Sequence, residues 1–157
     1  MTNREMLLEA IRALGRYQAG ILREEAPKMT ATEIIDMEYA APTFNSKKDY
    51  SACAVGTPVS FEGQVYGLLQ PYNAANYDGT PATLPALWSL LHTKNPLKAK
   101  PYVTPQGTSG MYMTDECYLG DDGHVYKCKI DNCVWDYPSY SAAWEDLGLL
   151  SDLKGVS

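Results

Sequence analysis

The first part of the chain has the apolar pattern of an amphipathic helix. A stripe of mostly apolar residues recurs at alternating spacings of four and three positions. It consists of Leu7, Ile11, Leu14, Gln18 and Ile21. These spacings place the side chains on one face of an α-helix. Thr2 or Asn3 can cap its start, and Pro27 cannot continue it. We therefore predict an α-helix over residues 1–26.

This helix requires a partner to be stable. Gly15 and Gly20 each cost about 1 kcal/mol relative to Ala in a helix. Burying the four aliphatic stripe residues returns roughly 6 to 12 kcal/mol, at about 1.5 to 3 kcal/mol each; they are Leu7, Ile11, Leu14 and Ile21. We expect the stripe to be buried between chains, as an oligomerisation or docking surface. Packing of the helix on its own chain is the alternative.

Helical periodicity disappears in the rest of the sequence. Residues 27–49 are predicted to form a linker with a brief helical turn starting at Thr30. From Pro42 onward the chain contains nine of the ten prolines and all three tryptophans. Such a composition predicts short strands separated by turns. The predicted fold is mainly β with an N-terminal α-helix.

Two segments of the β region resemble each other at an interval of 60 residues. Segments 59–66 and 119–126 each contain an apolar residue, a glycine turn four positions later and then Val-Tyr. Asp122-Gly123 is a strong signal for a type I′ hairpin, because that turn requires positive φ. The sequence thus predicts two small antiparallel β-hairpin modules in tandem. Their predicted bounds are 50–92 and 110–150, joined by a linker at 93–109.

Each predicted module has only about 40 residues, a length at which a hydrophobic core is marginal. Each hairpin is followed by a proline and a tryptophan. A hairpin tyrosine packed against that tryptophan supplies a minimal core. We therefore assign the module cores to Tyr66, Trp88, Tyr126 and Trp144.

Composition and charge narrow the range of partners. The formal net charge of −6 argues against nucleic-acid binding. No apolar run has the length of a membrane span or of a signal-peptide core, so we expect neither membrane insertion nor secretion. The chain has 12 Tyr and 3 Trp but only 2 Phe. Tyr and Trp are typical of sugar platforms and of protein interfaces.

The sequence contains no catalytic motif that we can identify. Phosphate-binding, serine-hydrolase and zinc-protease motifs are all absent. Carboxylates are frequent in the second module, but a deep glycosidase cleft is not expected in so small a unit. We therefore predict no enzymatic activity, no cofactor and no metal. The four cysteines are Cys53, Cys117, Cys128 and Cys133.

These cysteines have three interpretations. They are expected to be buried free thiols, because cytosolic assembly keeps thiols reduced. Disulfide formation after cell lysis is one alternative. A zinc site built on His124, Cys128 and Cys133 is the other, although their spacing matches no established pattern.

The repeat resembles the small carbohydrate-binding modules of families 5 and 12, the chitin-binding type 3 group. In the first copy, the matching residues are Tyr50, Gly56-Thr57-Pro58-Val59, Phe61, Gly63, Tyr66, Pro85 and Trp88. In the second copy, they are Tyr112, Glu116-Cys117-Tyr118-Leu119, Gly123, Tyr126, Pro138 and Trp144. Thr57 stands where the family has Asp, and Glu116 stands where it has Gly.

The layout of residues 33–147 also resembles a family of phage and prophage proteins from Gram-positive hosts. Members carry an N-terminal helix, two such modules and an ending similar to Asp131-Asn132-Cys133-Val134-Trp135. The resemblance implies a virion protein of a tail fibre or other host-facing appendage, made in the host cytoplasm. It also implies phage structural proteins as partners, a homotrimer, and cell-surface polysaccharide as the ligand.

Sugar contacts are expected on exposed aromatic residues that follow the hairpins. Sugar-binding members of the group have a second aromatic soon after the hairpin tyrosine, but here those positions are not aromatic. The candidate replacements are Tyr72, Tyr77, Trp135, Tyr137 and Tyr140. Two alternatives stay open: a purely structural adaptor or decoration protein of capsid or tail, and a carbohydrate-binding accessory protein of a lytic enzyme.

Overall fold

The computed structural model of the protein describes residues 2–155. Within them, the fold is mainly β with an N-terminal helix, as the sequence predicts. The helices are α1 (Asn3–Glu25), α2 (Ala31–Asp36) and α3 (Leu150–Leu153). The first sheet contains β1 (Pro58–Phe61), β2 (Gln64–Leu68) and β3 (Trp88–Leu90), in that order. The second sheet contains β4 (Lys100–Pro101), β5 (Cys117–Leu119), β6 (His124–Cys128) and β7 (Trp144–Leu149), in that order.

Both N-terminal helices begin with a capping box. The Thr2 hydroxyl accepts a hydrogen bond from the Glu5 amide at 3.1 Å, and the Glu5 carboxylate accepts one from the Thr2 amide at 2.8 Å. Thr30 and Glu33 repeat this arrangement at the start of α2. Each box provides partners for amide groups that a helix leaves unpaired at its start. In the described residues, no helix is long and apolar enough to span a membrane.

Only the C-terminal end of α1 packs on its own chain. Leu22 and Ala26 are buried in a cluster with Ile34, Ile35 and Val65, which come from α2 and β2. Residues 27–49 therefore contribute core side chains, and their prediction as a linker is too simple. By contrast, the earlier apolar residues of α1 have exposed fractions of 39 to 67%; they are Met6, Leu7, Leu8, Ile11, Leu14 and Tyr17. Ile21 is half-buried.

The hairpin and its return strand have the same topology in both sheets. In the first sheet β2 pairs with β3 so that Leu68 lies opposite Trp88. In the second, β6 pairs with β7 so that Cys128 lies opposite Trp144. In both sheets the tryptophan therefore lies opposite the residue two positions after the hairpin tyrosine. The repeat thus includes the third strand of each unit.

The two turns differ from the sequence prediction. The type I′ turn is at Glu62-Gly63, where both residues have positive φ, 50° and 80°. Asp122 does not have positive φ. It lies in a longer loop, which is closed by a hydrogen bond of 3.0 Å from the Gly123 amide to the Gly120 carbonyl. The longer loop moves the pairing by one residue, so Tyr118, and not Leu119, lies opposite Tyr126.

The changed register also revises the alignment of the two copies. The Gly56 amide donates to the Leu68 carbonyl, and the Asp115 amide donates to the Cys128 carbonyl in the same way. Asp115, with φ of 75°, therefore occupies the left-handed position of Gly56. It follows that Glu116 corresponds to Thr57 and does not replace the glycine.

The segment predicted as a second linker belongs to the second sheet. β4 lies inside residues 93–109 and pairs in parallel with β5. The ring of His92 stacks on Tyr112 with centroids 3.8 Å apart. In addition, the Gln64 side-chain amide donates to the Pro101 carbonyl at 3.1 Å. The second module thus begins near residue 92, and the two sheets are joined by direct contacts.

Candidate functional site

The aromatic residues assigned to the module cores are all buried. Exposed fractions are 5% for Tyr66, 1% for Trp88, 5% for Tyr126 and 2% for Trp144. Each tryptophan meets a tyrosine edge-on, Trp88 with Tyr50 at 5.2 Å and Trp144 with Tyr118 at 4.8 Å. Edge-on packing is a favourable arrangement of aromatic rings. These side chains hold the modules together.

Tyr72 is a core residue, and its prediction as a sugar platform is wrong. Its side chain is 6% exposed and packs in the same cluster as Trp88. The Trp88 indole N–H donates to the Tyr72 hydroxyl at 2.7 Å. A buried indole N–H requires such an acceptor, which explains why a tyrosine occupies this position.

Tyr77 is the single candidate in the first module that has an accessible ring. It is 51% exposed and meets the buried Tyr72 edge-on, with centroids 5.1 Å apart. The contact supports one side of the ring and leaves much of the remainder open to solvent.

The second module places two candidate rings side by side. Trp135 and Tyr140 are 48% and 43% exposed, with centroids 5.5 Å apart and planes inclined by 32°. We call these two residues the aromatic pair. Their loop is fixed by hydrogen bonds, because the Trp135 carbonyl accepts from the Trp144 indole at 2.9 Å and the Tyr140 amide donates to Asp136.

Tyr137 has a different position from the aromatic pair. It is half-buried, and its ring stacks on Tyr126 at 4.3 Å with an interplanar angle of 21°. Its amide donates to the Tyr118 hydroxyl at 2.8 Å. Tyr137 therefore anchors the loop to the sheet, and one face of its ring is covered, contrary to its expected role as an open platform.

A concave surface lies beside this loop and was not predicted from the sequence. It has a volume of about 340 Å³ and is lined by tyrosines and carboxylates. Its principal residues, which we call the tyrosine groove, are Tyr102, Tyr118, Tyr126, Asp121, Asp122 and Asp136. None of the residues described as lining it is Lys, Arg or His. Tyr102 was missed because it lies in the presumed linker.

Hydrogen bonds fix the tyrosines of the groove. The Tyr102 hydroxyl donates to the Val134 carbonyl at 3.0 Å, and the Tyr126 hydroxyl donates to Asp122 at 2.6 Å. The other Asp122 oxygen accepts from the His124 amide at 3.0 Å. With these partners the groove is formed before any ligand arrives, which lowers the entropy cost of binding.

The protonation states follow from the same contacts. Burial, with a smaller contribution from Asp136, raises the pKa of Tyr102 to about 12. Burial likewise raises the pKa of Tyr118 to about 12. The hydrogen bond from Tyr126 lowers the pKa of Asp122 and raises that of Tyr126 itself. At neutral pH Tyr102, Tyr118 and Tyr126 are therefore neutral phenols, and Asp122 is an ionised carboxylate.

The histidines and cysteines have structural partners. His124 Nδ1 lies 2.9 Å from an Asp146 oxygen, and His92 Nδ1 lies 3.3 Å from Glu116. Cys117, Cys128 and Cys133 are buried, and all four cysteines are free thiols. Residues 2–155 contain no group of three or more His, Cys, Asp or Glu side chains arranged to hold a metal ion.

Comparison with known proteins does not place the chain in a family. No protein-family model matches it, and no curated protein sequence is similar to it.

Proposed function

We propose that this protein is a non-catalytic glycan-binding protein that contacts sugar through the aromatic pair of its second module. The observation that carries this proposal is the adjacency of two exposed rings, Trp135 and Tyr140, on a loop held by hydrogen bonds. A sugar ring has an apolar C–H face that flat aromatic rings cover, while nearby polar groups bind its hydroxyls. Tyr77 provides a secondary contact in the first module.

We further propose that the protein acts in a phage virion, as part of a tail fibre or another host-facing appendage. This part of the proposal rests on the tandem repeat, the Asp131-Asn132-Cys133-Val134-Trp135 segment and the resemblance that they carry. The exposed apolar side chains of α1 support it as well, because large exposed apolar surfaces mark interaction sites. Homotrimerisation through α1, or docking on a phage structural protein, buries them.

Binding measurements on the purified protein test the glycan proposal. Calorimetry and polysaccharide pull-downs with bacterial cell-wall glycans are expected to show binding that W135A and Y140A each weaken. Loss of one aromatic partner corresponds to roughly 0.5 to 1.5 kcal/mol, or about twofold to tenfold in affinity. W135A leaves the carbonyl that accepts from Trp144 in place, so the fold is retained.

Tyr39→Ala is the matched control. Tyr39 is 66% exposed and lies outside both modules, so its removal changes surface aromaticity without touching the aromatic pair. Affinity is expected to be unchanged by this substitution. Equal losses in all three variants, or no retention of the wild-type protein on any cell-wall glycan, contradict the proposal.

A structural adaptor without sugar binding is the second candidate function. The observation that favours it is the exposed face of α1, where Leu7, Ile11 and Leu14 are 63, 57 and 55% exposed. An adaptor is indicated if disrupting this face prevents incorporation into the particle while W135A and Y140A have no effect on host attachment. Imaging the assembled particle then gives its location and copy number.

A further inference from the structure

The tyrosine groove has a chemical character different from that of the aromatic pair. Three tyrosines and three carboxylates face one concavity of about 340 Å³, and no cationic side chain lines it among the described residues. The tyrosines give the concavity a partly apolar wall, and the carboxylates add negative charge. Both features attract a cation that carries an apolar body.

Asp136 and Asp121 retain free capacity for a ligand. One Asp136 oxygen accepts from the Ser139 amide at 3.1 Å, which fixes the side chain and leaves the second oxygen available. Asp121 is exposed at the groove. Asp122, in contrast, already accepts from Tyr126 and from the His124 amide. Asp136 and Asp121 are thus the carboxylates of the groove that are free to pair with a ligand cation.

We propose that the tyrosine groove binds the primary ammonium of an amino sugar, so that the ligand is a glycan with free amino groups. This inference rests on the proposed glycan-binding function and specifies its ligand. The same loop, residues 134–140, carries Trp135 and Tyr140 as well as Asp136. We therefore expect one oligosaccharide to stack a sugar ring on the aromatic pair and to place an ammonium group in the groove.

A neutral N-acetylated sugar makes only part of these contacts. Its acetamido group has no positive charge and cannot form an ion pair with Asp136. An exposed ion pair contributes up to about 1 kcal/mol, which corresponds to about fivefold in affinity. A second carboxylate, Asp121, is available for a further ion pair of similar strength. The free-amine form is thus expected to bind roughly tenfold more tightly than the acetylated form.

Calorimetric titration with two glucosamine oligomers of equal length tests the inference. One oligomer has free amines, and the other is fully N-acetylated. For the wild-type protein, the free-amine oligomer is expected to bind about tenfold more tightly at low salt, with the preference declining as salt screens the charges. Asp136→Asn is expected to reduce that preference about fivefold, because it removes the charge and keeps the oxygen that accepts from Ser139. Asp78→Asn, an exposed carboxylate of the first module, makes the same charge change outside the groove and is expected to have no effect.

The possible outcomes separate the ammonium inference from the glycan proposal. Equal affinity for the two oligomers, with loss of both in W135A, overturns the groove inference and keeps the glycan proposal. Binding of a lysine-rich peptide of equal charge with no binding of either oligomer overturns both. If D136N and D78N reduce the preference for the free amine equally, the preference comes from the net charge of the protein. That result also overturns the groove inference.

Discussion

The indole N–H of Trp88 donates to the hydroxyl of Tyr72 at 2.7 Å, and both side chains are buried. Tyr72 comes from the loop after the first hairpin, and Trp88 begins the return strand of the same module. The bond therefore ties the loop to the sheet. In the second module, the equivalent Trp144 indole donates instead to a backbone carbonyl, that of Trp135.

Replacing Tyr72 with Phe is expected to destabilise the protein by about 1 to 3 kcal/mol, because the buried Trp88 N–H loses its acceptor. The ring is retained, so the aromatic packing is preserved. The free energy of unfolding, measured by urea denaturation, reports the change. Tyr77→Phe removes a hydroxyl from an exposed ring and is expected to change that free energy by less than about 0.5 kcal/mol. Equal effects of the two substitutions contradict the role assigned to the bond.

The sequence predicts the local elements of this fold well, because local chemistry determines them. The α1 cap at Thr2, the helix end before Pro27 and the strands around Glu62-Gly63 all depend on neighbouring residues. The repeat also predicts correctly that Tyr66, Trp88, Tyr126 and Trp144 are buried. The tyrosines that meet the tryptophans edge-on, however, are Tyr50 and Tyr118, which the repeat did not indicate.

Non-local contacts account for what the sequence reasoning missed. β4 consists of Lys100 and Pro101, which have no strand-like pattern and are ordered by pairing with β5. Tyr72 and Tyr77 are similar in the sequence, and non-local packing against Tyr50 and Trp88 is what buries Tyr72 while Tyr77 stays exposed. The tyrosine groove combines residues from β4 to the 134–140 loop, so no single motif contains it.

The ion pair of His124 with Asp146 is expected to make stability depend on pH. The hydrogen bond to Asp146 raises the pKa of His124 above its ordinary 6.5, and the same bond lowers the pKa of Asp146 below 3.8. The histidine contribution is therefore complete below pH 6.5 and is lost as pH rises through the raised pKa. The aspartate contribution is complete above pH 3.8 and is lost as pH falls through the lowered pKa.

Substitution of His124 by Gln removes the titrating group, and it keeps the backbone bond to Asp122. Thermal unfolding is expected to show a larger deficit of H124Q relative to wild type at about pH 5.5 than at about pH 9. NMR titration of the His124 ring checks the direction of the pKa change. A constant deficit across that range, or a pKa of His124 below 6.5, contradicts the prediction.

Gly120→Ala is expected to destabilise the second module by about 1 to 3 kcal/mol through overpacking. A Cβ added at Gly120 would lie 2.7 Å from an Asp122 oxygen and 2.8 Å from a Tyr126 ring carbon. These two side chains are joined by the hydrogen bond from the Tyr126 hydroxyl to the Asp122 carboxylate. Gly15→Ala is the control, since a Cβ there meets nothing within 4 Å. The control is expected to stabilise α1 by about 0.5 to 1 kcal/mol. Urea denaturation followed by circular dichroism measures both changes. Gly120→Ala is expected to lower the free energy of unfolding, and Gly15→Ala is expected to raise it.

Combined substitution of Ile11 and Leu14 by Asp is expected to convert a self-associated protein to monomers, or to prevent its incorporation into the particle. Both side chains are more than half exposed in the single chain, so charges there do not disturb its own core. Sedimentation velocity of wild type and variant measures the change in mass. Arg16→Asp makes the same change of two charge units on the opposite side of α1, where the side chain is exposed, and is expected to leave association intact. Unchanged association of the Ile11 and Leu14 variant excludes this face as the interface.

The stacking of His92 on Tyr112 and the pairing of β4 with β5 have a consequence for how the repeat can evolve. The second copy depends on a ring and a strand that precede its recognisable motif. Recombination at the motif boundary, near residue 110, would transfer an incomplete unit. Although the two copies share a topology, an exchange of the second copy alone requires a boundary that precedes His92.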